Sequence, residues 1–212
     1  MEAQANNTFR DILNDSDLNV PDGMPLVWVG HVAGFPEMDR VYGPDFILEV
    51  SKASVEKGLS HFFYGGKPGV ADELALNLSQ MFPGLKVAGT YCPPFAPLSQ
   101  QERDEIIAMI ERSAASFVWV GLSTPKQEHW MSQFAPSFHG NVLFGVGAAF
   151  DYNTGRLDRA PRWMQMAGLE WFFRLIQEPK RLFRRYVVNN PKFLLSVLMQ
   201  LTGVRKFRII RG

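Results

Sequence analysis

The sequence is poor in the features that mark secreted, zinc-binding and membrane-spanning proteins. Its 212 residues include one cysteine, Cys92, so no intramolecular disulfide forms, and its four histidines lack zinc-ligand spacing. A secretory signal begins with basic residues followed by an apolar run, and the first residues of this sequence do not show that pattern. The longest apolar candidate, residues 193–204, is shorter than the roughly 18 to 20 residues that cross a bilayer. These absences favour a reducing compartment, and they predict that any membrane contact is made at the bilayer surface.

Net charge is also nearly absent, but the formal total of +1 hides two opposed regions. Residues 1–155 hold 9 basic and 18 acidic residues, a net charge of −9. Residues 156–212 hold 13 basic and 3 acidic residues, a net charge of +10. With 46% hydrophobic residues the chain is too apolar for disorder to be its main state. We therefore predict a folded domain at 1–155 and a basic appendage at 156–212 that meets an anionic partner.

Short apolar runs alternate with segments of helical period between residues 24 and 155. Continuous apolarity is typical of parallel strands that are covered on both faces. The alternation predicts an α/β fold with a doubly wound, mainly parallel sheet flanked by helices. The predicted strands are residues 26–30, 61–66, 85–91, 117–122 and 142–150. The predicted helices are residues 44–57, 70–81, 101–115 and 127–134, the third preceded by a capping box of Ser99 and Glu102.

Beyond residue 155 arginine and aromatic residues recur at helical spacing without strand signals. Pro179 is expected to break the first apolar stripe. We predict two or three short amphipathic helices, whose polar faces carry Arg181, Arg184 and Arg185 among other cations.

Three turns after predicted strands are candidate binding sites, because ligands collect at the carboxyl ends of parallel strands. In residues 65–69 (G-G-K-P-G), Gly65 and Gly66 allow a ligand to approach the backbone, although a tight turn that needs positive φ explains them equally well. In residues 121–128 (G-L-S-T-P-K-Q-E), Lys126 and Gln127 are candidate donors, while a helix-capping loop is the plainer explanation.

The third turn, residues 145–152 (G-V-G-A-A-F-D-Y), joins Gly145 to Asp151 at a predicted strand end. A carboxylate there can bind a sugar hydroxyl, or it can begin the turn at residues 153–155. Asp22 lies in a Val-Pro-Asp-Gly turn, and on spacing alone this turn favours a structural role.

Taken together, the segments resemble one family, the WecG/TagA/CpsF glycosyltransferases, also called glycosyltransferase family 26. They follow one another in order from about residue 18 to residue 193. The matching segments include V-P-D-G-M-P-L-V-W, R-V-Y-G-P-D, F-Y-G-G-K-P-G-V-A, V-G-L-S-T-P-K-Q-E-H-W, G-V-G-A-A-F-D-Y-N-T-G and R-A-P-R-W-M-Q-M-A-G-L-E-W.

The resemblance implies an inverting, metal-independent transferase without a cofactor. Its expected reaction moves an N-acetylmannosamine-type sugar from a UDP donor to a polyprenyl-diphosphate-linked N-acetylglucosamine, for bacterial surface polysaccharides or teichoic acid. The resemblance makes Asp22 the expected general base, against the structural role that its spacing favours, and Gln127 and Arg40 further active-site residues. A carboxylate base suits this chemistry, because the acceptor hydroxyl loses its proton as the new bond forms.

The same resemblance sets the expected binding sites and partners. We expect UDP against Gly65, Gly66 and the turn from Gly145 to Asp151, with Lys126 nearby. Arg181, Arg184 and Arg185 are expected to bind diphosphate oxygens, since guanidinium forks suit them. The basic appendage is expected to contact anionic lipid on the inner face of the cytoplasmic membrane. Nucleic acid is not an expected partner, although arginines among aromatic residues also suit RNA. A homo-oligomer is left open.

One departure from the family supports a different hypothesis. Family members usually carry a further βαβ portion, with a Thr-x-Asn type motif, before the segment that matches residues 1–10 here. The resemblance implies that this portion is missing, through a start codon assigned too late, a fragment or a natural short form. The alternative is therefore a catalytically silent UDP-sugar-binding or membrane-scaffold protein.

Overall fold

The structure is a computed structural model, and it describes residues 1–204. Residues 205–212 of the predicted basic appendage lie outside the described residues. In chain order the elements are α1 (Glu2–Ala5), α2 (Asn7–Asn14), α3 (Met24–Val32), α4 (Gly43–Lys57), β1 (Ser60–Gly65), α5 (Val70–Met81), β2 (Lys86–Tyr91), α6 (Gln100–Ser113), β3 (Phe117–Gly121), α7 (Lys126–Phe134), a 3-10 turn (Ala135–Ser137), β4 (Val142–Gly145), α8 (Ala149–Asn153), α9 (Arg162–Met166), α10 (Glu170–Gln177) and α11 (Pro179–Leu201).

Two compact units make up the chain. The sheet unit comprises Asn7–Asn19 and Val41–Arg159. Within the described residues, the helical unit comprises Met1–Asn6, Val20–Arg40 and residues 160–204.

The sheet unit is built on four parallel strands in the order β2-β1-β3-β4. Gly65 pairs with Gly121, and Val120 pairs with Gly145. The carboxyl ends of β1, β3 and β4 therefore meet at one edge of the sheet. This topology confirms the predicted α/β fold with a parallel sheet.

Both faces of the sheet are covered by helices. Side chains alternate between the faces along a strand, so Phe62 and Phe63 pack into two different clusters. One cluster includes Ile110 of α6 and Trp130 of α7, and the other includes Leu74 of α5. Helices on both faces are the arrangement that the doubly wound prediction requires.

The four predicted helices of the sheet unit are confirmed as α4, α5, α6 and α7. The capping box of α6 is present: the N–H of Glu102 donates to Ser99 Oγ at 3.3 Å, and the N–H of Ser99 donates to Glu102 Oε2 at 2.7 Å. Both hydrogen bonds satisfy donors that have no partner within the helix.

A buried hydrogen-bond chain crosses one face of the sheet unit. Trp119 Nε1 donates to His61 Nδ1 at 2.9 Å, so the ring proton of His61 lies on Nε2. His61 Nε2 then donates to Ser54 Oγ at 2.6 Å, and Ser54 Oγ donates to the carbonyl of Ser51 at 2.7 Å. Burial lowers the pKa of His61 to about 4, so the ring is neutral in the folded core at pH 7.

The strand predicted at residues 26–30 is wrong, because this segment forms helix α3. A short apolar run does not distinguish a strand from a buried helix by period alone. Pro25 lies in the first turn of α3, where proline fits because that N–H has no helical partner. Val27 and Gly30, three residues apart on one helix face, are both buried.

Strand β4 ends at Gly145, five residues before the predicted end. Gly147 has a φ of +52°, and the N–H of Ala149 donates to the carbonyl of Val146 at 3.1 Å. These turns lead directly into α8. Asp151 therefore lies within a short helix, and its predicted position at a strand end is wrong.

The described part of the basic appendage is mainly helical, as predicted, but its last helix is longer than expected. Helix α11 begins at Pro179, the residue at which the sequence predicts a break. It is 23 residues long and contains Pro191 in its interior. A proline inside a helix removes one backbone hydrogen bond without ending the helix in every context. Along residues 1–204 none of the helices combines the length and apolarity that crossing a membrane requires.

Candidate active site

In the helical unit the structure brings Asp22 and Arg40 together. Asp22 is exposed in the turn before α3, and its backbone carbonyl accepts a hydrogen bond from Arg40 Nε at 2.6 Å. Arg40 Nη1 donates to Gln165 Oε1 at 3.2 Å, and Nη2 pairs with the carboxylate of Glu170. Gln165 and Glu170 belong to the R-A-P-R-W-M-Q-M-A-G-L-E-W segment. The sequence alone assigns no role to Gln165 or Glu170, because no local pattern connects them to Arg40.

In the sheet unit, glycines line the carboxyl edge for reasons of backbone geometry. Gly65 has a φ of +119°, and a Cβ there would lie 2.8 Å from the carbonyl of Gly121. Gly66 has a φ of +77°, and its N–H donates to the carbonyl of Gly121 at 3.0 Å. A tight turn that needs positive φ is therefore sufficient to explain both glycines.

Gln127 joins two of the candidate turns in the sheet unit. Its buried amide accepts a hydrogen bond from the N–H of Gly147 at 2.9 Å and donates to Glu128 Oε1 at 3.1 Å. A Cβ on Gly145 would lie 3.1 Å from Gln127 Nε2. The structure thus brings Gln127 and Gly145 together at the carboxyl ends of β3 and β4.

The two remaining predicted residues of the sheet unit differ in their surroundings. Lys126 is exposed at the first residue of α7. The backbone carbonyl of Asp151 accepts hydrogen bonds from the N–H groups of Arg156, at 2.9 Å, and Leu157, at 3.1 Å. Asp151 therefore closes a turn through its backbone carbonyl, and the role of its carboxylate stays a prediction.

Three predicted arginines lie together on one face of α11 in the helical unit. Arg181, Arg184 and Arg185 are three and four residues apart, and with Val188 and Asn189 they line an open depression of about 420 Å³. Arg181 Nη1 pairs with Glu178 Oε1 at 2.8 Å. This face concentrates guanidinium groups whose planar forks match the oxygens of a phosphate.

The motifs around residues 42–45, 151–155 and 159–162 converge on Arg159. Arg159 Nη1 pairs with Asp45 Oδ1 at 2.6 Å, and Nη2 donates to Asn153 Oδ1 at 2.7 Å. Asn153 Nδ2 in turn donates to the carbonyl of Pro44 at 3.0 Å. These motif residues therefore fix three segments of the sheet unit to one another.

The structure does not favour Cys92 as a nucleophile. Its thiol points to the carbonyl of Gly66, with 3.4 Å between Sγ and the oxygen. Burial, with the charge of Asp72 as a second cause, raises the pKa of the Cys92 thiol, so the reactive thiolate is scarce near pH 7. Among residues 1–204 no three His, Cys, Asp or Glu side chains form a group that could hold a metal ion.

Known proteins resemble this chain along nearly its whole length. The model of the glycosyl transferase WecG/TagA/CpsF family matches residues 1–206. An N-acetylglucosaminyldiphosphoundecaprenol N-acetyl-beta-D-mannosaminyltransferase of Bacillus subtilis (strain 168) is 31% identical over 94% of this chain and 75% of its own length. A protein of the same name from Bacillus spizizenii (strain ATCC 23059 / NRRL B-14472 / W23) is 31% identical over 93% of this chain and 74% of its own. The chain therefore belongs to the WecG/TagA/CpsF family of glycosyl transferases.

Proposed function

We propose that this glycosyltransferase moves an N-acetylmannosamine-type sugar from a UDP donor to N-acetylglucosamine on a polyprenyl diphosphate. The observation that carries the proposal is the match of over nine-tenths of the chain to two relatives whose names state the sugar and the lipid-linked acceptor. The catalytically silent alternative is not favoured, because both relatives are named as transferases.

In this proposal Asp22 is the general base. Its carboxylate accepts the proton of the acceptor hydroxyl while the oxygen bonds to the anomeric carbon and the bond from that carbon to UDP breaks. The configuration inverts because the attack is direct. The exposed position of Asp22, in a turn whose backbone Arg40 holds, supports this role, because a base must reach substrate and keep its geometry.

Cations of the protein would balance the charge that develops on the departing UDP. Arg181, Arg184 and Arg185 line one depression on α11, where guanidinium groups can bind a diphosphate, although Arg181 also pairs with Glu178. The glycine edge of the sheet unit and the exposed Lys126 support a donor site at the carboxyl ends of the strands. No metal ion or cofactor takes part in this proposal.

We further propose that the helical unit contacts the membrane that holds the acceptor. Large apolar side chains recur on one face of α11 and are exposed there, namely Phe183, Val187, Leu194, Leu198 and Leu201. An amphipathic helix with an exposed apolar face and cationic residues lies in the interface of anionic bilayers. The apolar stripe and the arginines give the two contributions that such binding needs.

The reaction is tested by UDP release from UDP-N-acetylmannosamine with a short-chain lipid-linked acceptor. We expect turnover by the wild type and a loss of about a hundredfold or more in kcat for Asp22→Asn, within the range typical of a general base. Asp17→Asn, which removes an exposed carboxylate of the sheet unit, serves as the matched control. Wild-type kcat in Asp22→Asn would exclude this base, and product formation with another sugar alone would exclude the donor.

Membrane binding is tested by co-sedimentation with anionic liposomes. We expect Phe183→Gln combined with Leu198→Gln to weaken binding, because each change removes apolar area from the bilayer. Leu76→Gln, at an exposed leucine of α5 in the sheet unit, is the matched control. Equal binding of both variants would exclude the stripe as the contact.

A further inference from the structure

Arg40 is the centre of a nearly buried polar cluster in the helical unit. The side chains of Arg40 and Glu170 are only 12% and 18% exposed, and they form an ion pair. The guanidinium also donates to Gln165 Oε1 and to the backbone carbonyl of Asp22. Each of the three guanidinium nitrogens of Arg40 therefore has a protein partner. This arrangement is typical of an arginine that holds other residues in place.

The partner Gln165 is itself held in one orientation. Gln165 Nε2 donates to the carbonyl of Ala160 at 2.7 Å. An amide that donates on one side presents its oxygen on the other, and this oxygen accepts from Arg40. The side chain of Gln165 is thus fixed at both ends.

Glu170 is placed by a tight turn that packs on α3. Gly168 follows the end of α9 with a φ of +67°, and the N–H of Leu169 donates to the carbonyl of Met164 at 2.8 Å, as in a Schellman motif. A Cβ on Gly168 would lie 2.8 Å from the ring of Trp28. This close approach sets Glu170, two residues later, beside the segment that begins with Asp22.

We propose that Gln165 and Glu170 are positioning residues that orient Arg40, which in turn fixes the backbone of Asp22 for the transfer reaction. The inference rests on the proposed function, because it takes Asp22 as the base. A nearly buried guanidinium keeps one orientation only when its charge and its N–H groups are matched. Catalysis is sensitive to the position of the base. Loss of Gln165 or Glu170 is therefore expected to lower the rate, although neither side chain contacts the substrate in this proposal.

The test compares kcat and KM among single and double variants. We expect Glu170→Ala and Gln165→Met to lower kcat about tenfold or more, while KM for the UDP-sugar changes by less than about twofold. Glu170→Gln, which keeps an acceptor oxygen, is expected to recover part of the loss. Adding Glu170→Ala to Arg40→Met is expected to lower kcat no further than Arg40→Met alone, because both act through one group.

A matched control exists in the sheet unit. Arg103 Nη1 donates to Gln133 Oε1 at 2.8 Å, which is the same pair of atoms as in Arg40 and Gln165. Arg103→Met and Gln133→Met are expected to keep wild-type kcat. If Glu170→Ala does not fold, Gln165→Met carries the test, because it removes no charge.

A readout that does not depend on activity separates this inference from the proposed function. Hydrogen exchange of the backbone amides of residues 22–28 is expected to accelerate in Gln165→Met and to stay unchanged in Gln133→Met. Wild-type kcat and wild-type exchange in Gln165→Met and Glu170→Ala would overturn the positioning role while leaving Asp22 as the base. If the wild type and Asp22→Asn turn over equally, Asp22 is not the base. The anchoring of the Asp22 backbone by Arg40 is refuted separately, by unchanged hydrogen exchange in Gln165→Met.

Discussion

The two units differ in the large side chains that they bury and in those that they expose. In the sheet unit the fully buried large side chains include Trp119, Tyr64, Phe62, Phe63 and Phe150. In the described part of the helical unit the nearly buried side chains include an arginine and a glutamate, while many large apolar side chains are exposed.

The difference shows that the sheet unit buries much of its large apolar surface within its own fold, whereas the helical unit leaves large apolar side chains exposed. Apolar burial is the main stabilising contribution in a domain, and the sheet unit has two clusters of it. Exposed apolar stripes usually mark a contact with another molecule or a membrane. We therefore expect mutations to change stability in the sheet unit and interactions in the helical unit, and the predictions below test this contrast.

The largest expected effect is a difference in unfolding free energy between substitutions of two tryptophans, one in each unit. Trp119 of the sheet unit is 0% exposed and Trp163 of the helical unit is 65% exposed. Trp119→Ala is expected to lower the free energy of unfolding by about 3–5 kcal/mol, because it leaves a cavity and removes the donor to His61. Trp163→Ala is expected to change it by less than about 0.5 kcal/mol. Urea unfolding followed by circular dichroism measures both, and similar losses would remove the contrast.

The second effect is a pH dependence of the sheet unit. Because burial lowers the pKa of His61 from 6.5 to about 4, the unfolded chain takes up a proton before the folded chain does. This contribution to stability is complete above pH 6.5 and is lost as the pH falls toward 4, by roughly 3 kcal/mol.

Unfolding of His61→Gln across the same pH range tests this contribution. The fall in stability between pH 7 and pH 4.5 is expected to be smaller in His61→Gln than in the wild type. His139→Gln, at an exposed histidine, is the control and is expected to keep the wild-type dependence. A wild-type dependence in His61→Gln would refute the assignment.

A third prediction concerns the glycine edge of the sheet unit. Gly65→Ala is expected to lower the free energy of unfolding by about 2–3 kcal/mol, because φ is +119° and the new Cβ would meet the carbonyl of Gly121. Gly140→Ala, at a φ of +86° with no atom within 4 Å of the new Cβ, is expected to cost about 1 kcal/mol. Denaturant unfolding separates them, and equal losses would show that φ alone decides.

A smaller effect is expected at the capping box of α6. Ser99→Ala removes the acceptor of the Glu102 N–H and should lower the free energy of unfolding by about 1 kcal/mol. Hydrogen bonds from the backbone N–H of Ser99 and, second, from its hydroxyl lower the pKa of Glu102. The variant loses only the hydroxyl, so this pKa is expected to rise in part. Denaturant unfolding and NMR titration measure the two quantities.

The smallest effect on stability is expected on the apolar face of α11. Phe183→Gln and Leu198→Gln replace exposed side chains, so each is expected to change the free energy of unfolding by less than about 0.5 kcal/mol. Thermal unfolding without lipid checks this. A loss of several kcal/mol would mean that this face stabilises the unit itself and is not kept for a membrane.

The sequence allowed much of the sheet unit to be predicted. Strands β1 and β3 are short apolar runs bounded by turns, and α6 has a capping box next to a helical period. These are local signals, so they persist in the fold. The apolar run in α3 carries the same signal as a strand, and β4 ends at Gly145, within an apolar segment and two residues before Gly147 with its positive φ. In both places contacts with distant residues decide between structures that the local pattern permits.

The candidate site divides in the same way, and its assigned roles stay predictions. The motifs indicated Asp22, Arg40 and Gln127 through family resemblance, but nothing local connects Arg40 to Glu170, which lies 130 residues further along the chain. The sequence by itself determined the fold class and the positions of most elements, because propensities, caps and periodicity act over a few residues. Only the tertiary structure decided which charged groups meet, because burial and geometry select among many equally plausible partners.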